Sequence, residues 1–287
     1  MKGMEFAMKK IKIRNEKLLF TVLIIALFII FLLYYSLVFS VTFARNSFTN
    51  QMVDISDNNE NSIFKIKKVS LYSNANAIDN SENNSLKNMN ICQFTDIQIY
   101  IDNTSYISEL KDENTVKDLY IDNIQINTNS QNAGTQSLNY KNPLDFGKYK
   151  KIKDPENNSI NFNIVSTNES NESADYSKPT FYTDCSNPIT LGYMNKDILT
   201  NYAVSQDANS NTISFNGKVL KEANINLNDI SYVLNFKIHI TNNLNQKFVY
   251  DMKLNVDLTE NNNAIYNGFA SSTKTTTGNE YNFFKEF

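Results

Sequence analysis

The sequence predicts a mainly β protein: an N-terminal transmembrane helix followed by an extracytoplasmic β-sandwich, Ig-like or jelly-roll-like. Three observations predict it. No charged residue falls between Leu18 and Phe43. Beyond that run, short β-branched and aromatic stretches are separated by Asn, Asp, Ser and Gly. Two stretches near the C-terminus alternate apolar and polar side chains with period two along their whole length.

The first element is a cytoplasmic basic tail over 1–17, carrying Lys2, Lys9, Lys10, Lys12, Arg14 and Lys17 against Glu5 and Glu16. The apolar run over 18–43 follows. It holds no Gly or Pro, and about 26 residues at ~1.5 Å each exceed a ~30 Å hydrocarbon core. The positive flank sits on the N-terminal side, whereas Arg45 is followed by Asp54, Asp57 and Glu60. Cationic flanks stay cytoplasmic, so the N-terminus is expected inside and the rest of the chain outside. A cleaved signal peptide ending at Thr42-Phe43-Ala44 is the competing reading, but signal cores run only ~7–15 residues.

Residues 44–90 read as a polar stalk with one possible strand at Ile63–Tyr72. The sandwich is expected over 91–260. Its candidate strands are ICQFTDIQIYI, VKDLYIDNIQINT and INFNIVS, then PTFYTDC and PITLGYM, opened by Pro179 and Pro188. In ISYVLNFKIHIT, Tyr232, Leu234, Phe236, Ile238 and Ile240 form one face; in QKFVYDMKLNVDL, Phe248, Tyr250, Met252, Leu254, Val256 and Leu258 do the same. Asn242-Asn243-Leu244-Asn245 joins the two as a hairpin. Val219–Ala223 is the best short helix outside the anchor. Residues 261–287 are read as a tail with a Ser/Thr cluster and the aromatics Tyr281, Phe283, Phe284 and Phe287, mobile unless those aromatics dock.

Composition narrows function. The chain carries a formal net charge of −3, which leaves about −7 once the basic tail is set aside. Arg14 and Arg45 are the only arginines, both beside the apolar run. Nucleic-acid binding, which needs clustered cations, is not expected. Asn makes up about one residue in six, several times ordinary usage, as in A/T-rich bacterial genomes. Its Asn-x-Ser/Thr triplets are therefore not read as glycosylation sites.

No catalytic, cofactor or metal set stands out, and no enzyme activity is expected. His239 is the only histidine and falls on the polar face of its strand, so it is read as a solvated surface residue. Cys185 in Thr183-Asp184-Cys185 faintly resembles a sortase nucleophile, but no earlier His and no later Arg accompany it. Asp57-x-Asn59-x-Asn61 and Asp207-x-Asn209-x-Asn211 start like calcium loops but lack Gly at the sixth position and Glu at the twelfth. Trp is absent and most Tyr and Phe sit at buried parities, which disfavours a sugar platform. Cys92 and Cys185 admit two readings. They form a disulfide in an oxidising space, closing a loop of ~93 residues, or they are separate buried thiols.

The stretch PTFYTDCSNPITLGYMNKDILTNYAV, with VKDLYIDNIQINT and NYKNPLDFGKYKKI, resembles an uncharacterised family of single-pass membrane proteins of clostridia and related Firmicutes, across residues 91–260. The resemblance implies an anchored bacterial surface protein and brings no activity or site residue with it. The expected function is a structural, adhesion or protein-interaction role at the cell envelope, with the membrane and other envelope proteins as partners. The alternatives are the ectodomain of a signalling or secretion assembly, or an envelope enzyme using a pair of carboxylates. For binding, loops at one end of the sandwich, including Ser186 to Asn195, are the expected site.

Overall fold

The computed structural model describes residues 17, 18, 20–36, 62–79, 88–104, 107–129, 134–143, 158–166, 175–203, 218–259, 264–276 and 281–286. The chain divides into two units, Met1–Asp54 and Ile55–Phe287.

In the first unit, residues 20–36 form helix α1. Its large apolar side chains are all exposed, from 49% at Leu32 to 67% at Tyr34. Among the described residues, no helix is long and apolar enough to cross a membrane. The sequence-expected span of 18–43 continues past α1 into residues outside the described set.

The second unit is mainly β. Its strands are β1 (Lys65–Asp79), β2 (Met89–Asp102), β3 (Val116–Thr128), β4 (Thr135–Tyr140), β5 (Ile160–Asn161), β6 (Asn163–Val165), β7 (Thr180–Tyr182), β8 (Ile189–Tyr202), β9 (Tyr232–Asn242), β10 (Lys247–Val256), β11 (Phe269–Thr275) and β12 (Phe284–Glu286). Two antiparallel five-stranded sheets result, in the orders β11-β1-β2-β8-β4 and β12-β10-β9-β3-β5, with β6 and β7 as a small parallel pair. Two short helices, α2 (Lys218–Glu222) and α3 (Leu227–Ile230), lead into β9. Asn226 caps α3, its side chain accepting the Asn228 N–H.

Period-two alternation is realised most fully in β9, where every second residue from Tyr232 to Asn242 is buried. β10 keeps the same rhythm from Phe248 to Val256. The hairpin between them closes on a turn in which the Asn245 N–H donates to the Asn242 carbonyl at 2.9 Å, with Asn245 at φ 61°. Asn tolerates that left-handed conformation better than most residues. Among the described residues, five of the seven non-glycine residues with positive φ are Asn. In a chain with only seven Gly, Asn takes over much of the turn chemistry.

Two boundary expectations are corrected. The segment 44–90 is not all stalk, because Lys65–Asp79 is a full strand at the heart of the first sheet, paired with β2 along its length. Its Asn- and Ser-rich second half disguised it: Ser73, Ala75 and Ala77 point inward, and Asn74 and Asn76 alternate with them on the other face. The 261–287 tail also belongs to the domain. β11 forms the edge of the first sheet beside β1 and β12 the edge of the second beside β10. Phe283 is fully buried against Phe64 and Tyr250, with ring centroids 6.3 and 5.4 Å away. Its N–H donates to the Phe64 carbonyl at 2.9 Å. The two ends of the domain thus lock each other, and the core spans residues from Phe64 to Phe283 rather than 91–260.

Candidate functional site

The outer face of the second sheet gathers the most chemistry. β9 directs Leu234, Phe236 and Ile238 inward, so Asn235, Lys237 and His239 point outward. β3 matches it through a register shift between Asp122 and Gln125, centred on Asn123 at φ 52°. Before the shift Tyr120 and Asp122 face out; after it Gln125 and Asn127 do. β12 adds Phe284 and Glu286 across β10.

His239 is the centre of this face. Its ring lies parallel to Tyr120, with centroids 4.4 Å apart and planes at 6°. Nε2 is 3.0 Å from Asp122 Oδ1 and Nδ1 is 3.8 Å from Glu286 Oε1. Its side chain is only 13% exposed. The polar-face assignment therefore holds, but the solvated reading is corrected. An outward side chain on a central strand is flanked by neighbours on both sides, and here those neighbours are an aromatic ring and two carboxylates. Burial, and then the carboxylates of Asp122, Glu286 and Asp118, raise the Tyr120 phenol above its ordinary pKa.

Asp122 and Glu286 sit on opposite nitrogens of one imidazole. The space that a glycosidic bond would need between two catalytic carboxylates is filled by the ring. This arrangement orients charge and hydrogen bonds around one imidazole. Beside it, an open groove of about 520 Å³ runs over Asn123, Gln125, Asn235, Lys237, Asp251 and Lys253. Lys237 and Asp251 pair at 3.5 Å across its floor. Amides and charges of both signs line the groove, while most of the surface it exposes is apolar, which suits a partner surface of mixed character.

The first sheet has its own outer-face features. Lys141 reaches across β8 to Asp96 at 3.6 Å. Gly192, the β8 residue opposite Asp96 and Asn139, leaves that path open. Burial raises the Asp96 carboxyl above its ordinary pKa, and Lys141 opposes the shift. Cys92, Phe94 and Met194 form a second small buried cluster. Tyr72 and Phe269 are exposed but stack on each other at 5.2 Å, so each ring gives one face to its neighbour.

The cysteines are free. Ile189, four positions after Cys185, is opposite Ile99. Cys92 lies seven positions back along β2, about 23 Å away at ~3.3 Å per residue. Four residues reach at most ~14 Å, and a bridge needs Cα atoms within ~7 Å. The disulfide reading is therefore corrected to separate thiols. Burial raises both thiol pKa values. The Ser186 to Asn195 loop is corrected too. Residues from Ile189 onward are strand β8, whose inward side chains Leu191 and Tyr193 are fully buried; Pro188 simply opens it. The Asp57 and Asp207 ladders lie outside the described residues. Among the described residues, no group of three or more His, Cys, Asp or Glu is placed to hold a metal ion.

Sequence reasoning missed the Tyr120–Asp122–His239–Glu286 cluster. Its members lie on three strands far apart in the chain, and only the register of β3 against β9 joins them. No protein-family model, curated protein or solved structure matches the chain.

Proposed function

We propose that this chain is a single-pass, membrane-anchored protein of the bacterial cell envelope, with its N-terminus cytoplasmic and its β-sandwich outside. The sandwich acts as a structural, adhesion or protein-interaction module. The observation that carries the anchor is α1, whose large apolar side chains are exposed. Water is a poor environment for so continuous an apolar surface. The uncharged run over 18–43 with its basic flank supports the same reading and gives the orientation. The resemblance of residues 91–260 to clostridial single-pass proteins is part of this proposal.

The interaction role rests on the outer face of the second sheet, with its mixed-charge groove and the His239 cluster beside it. A partner surface of complementary polarity fits it. A photo-crosslinking residue at Asn235, in the groove, is compared in cells with one at Asn161, on the short edge strand β5. A discrete cross-linked species from Asn235 and none from Asn161 supports the role. Equal labelling from both, or from neither, contradicts it.

A further inference from the structure

The interior of the sandwich carries a band of polar side chains where an apolar core is expected. It crosses the inner face of the first sheet in two rows. One row pairs Ala75, Gln93, Asn195 and Gln136 from neighbouring strands; the next pairs Ser73, Thr95, Tyr193 and Leu138. From the second sheet Tyr232 stacks on Tyr193, with centroids 3.7 Å apart and planes at 16°. Gln93, Thr95, Asn195 and Tyr193 are completely buried and Tyr232 is 2% exposed.

Five polar atoms in this band have no hydrogen-bond partner: both amide atoms of Gln93, both of Asn195, and the Tyr193 hydroxyl; the Tyr232 hydroxyl beside them has Thr95 for a neighbour. Left dry, five such atoms would cost an amount comparable to the whole stability of a domain. Gly134 lets the chain leading into β4 pass close against Asn195. At φ 77°, a Cβ on it would stand 2.6 Å from Asn195 Oδ1 and 2.3 Å from the Lys196 carbonyl. The band also has an opening. A crevice of about 60 Å³, lined by Leu71, Val256, Asp257, Leu258 and Ala270, meets the band at Ser73. The Ser73 hydroxyl is 2.9 Å from that of Thr95. That space is enough to admit ordered water.

We propose that this band is a hydrated seam, in which ordered waters entering by the Ser73 crevice bridge the Gln93 and Asn195 amides to the Tyr193 and Tyr232 hydroxyls between the two sheets. The groups suit water. All are neutral, and each amide and phenol both donates and accepts. No charged side chain belongs to the band itself, Asp257 lining only the crevice, and the crevice is too small for a sugar ring. Buried waters of this kind make about three hydrogen bonds each to groups that otherwise lack partners.

The test uses the isotopically labelled full chain in detergent micelles. Side-chain amide protons of Gln93 and Asn195 are followed for magnetisation transfer to the water resonance, with the sign that marks long-lived bound water. Transfer at both amides is the expected result. A crystal structure of the full chain, at a resolution that orders solvent, is the second measurement, with density expected within hydrogen-bond reach of all four side chains. Amides bonded directly to each other or to backbone, with no transfer from water, overturn the seam. Density for a larger molecule overturns the assignment to water.

Discussion

Replacing Phe283 with Ala separates a docked C-terminal strand from a mobile tail. The ring is fully buried against Phe64 and Tyr250. The backbone around it is tied down as well, since the Ser62 hydroxyl lies 2.9 Å from the Phe283 carbonyl and the Phe283 N–H reaches the Phe64 carbonyl at 2.9 Å. Truncating a buried Phe typically costs about 3–5 kcal/mol. That is a large share of the ~5–15 kcal/mol that holds a domain together. The neighbouring Phe284 is 40% exposed on the outer face, so Phe284→Ala should change stability by about 0.5 kcal/mol or less. Urea unfolding of the full chain in detergent, followed by tyrosine fluorescence, gives both midpoints. Phe283→Ala should lower the midpoint strongly and Phe284→Ala almost not at all. Equal effects, or no effect from either, would refute the docking of the tail.

Asp96→Asn tests the buried carboxylate. Its folded-state pKa is raised, so the protonated form is favoured more in the folded than in the unfolded chain. That contribution is fully present below the unfolded value of ~3.9 and is lost as pH rises through the raised folded value. Wild type should therefore lose ground to Asp96→Asn in urea midpoint as pH climbs from acid to neutral. A gap that moves the other way would make Lys141, rather than burial, the dominant influence. Gly134→Ala, at a positive φ and against the Lys196 carbonyl, should destabilise by about 1–3 kcal/mol; an unchanged urea midpoint would show that β4 begins differently. Both cysteines should resist iodoacetamide in the folded chain and react after unfolding without reductant, because each is a shielded free thiol. Recovery of a Cys92–Cys185 linked peptide by mass spectrometry would contradict the strand register.

The strands with one wet and one buried face were legible in the sequence, because period two survives wherever a strand borders both core and solvent. VKDLYIDNIQINT is β3 residue for residue, and the β9–β10 hairpin falls where its alternation and Asn turn place it. Pro179 and Pro188 each precede a strand by one residue. β11 was not legible. As an edge strand exposed on both faces it reads FASSTKT, which resembles a loop. β1 was only half legible because small Ala75 and Ala77 fill its inward positions. The His239 cluster and the polar band depend on register between strands more than a hundred residues apart in sequence for Asp122–His239 and Gln93–Asn195, and no local pattern encodes such pairing.

Anchoring is the central claim, and protease accessibility in intact cells and spheroplasts, with N-terminal sequencing of the recovered protein, tests it most directly. The account predicts an intact N-terminus, membrane-bound, with the sandwich digested from outside. A product beginning at Arg45 and released to the medium would contradict it.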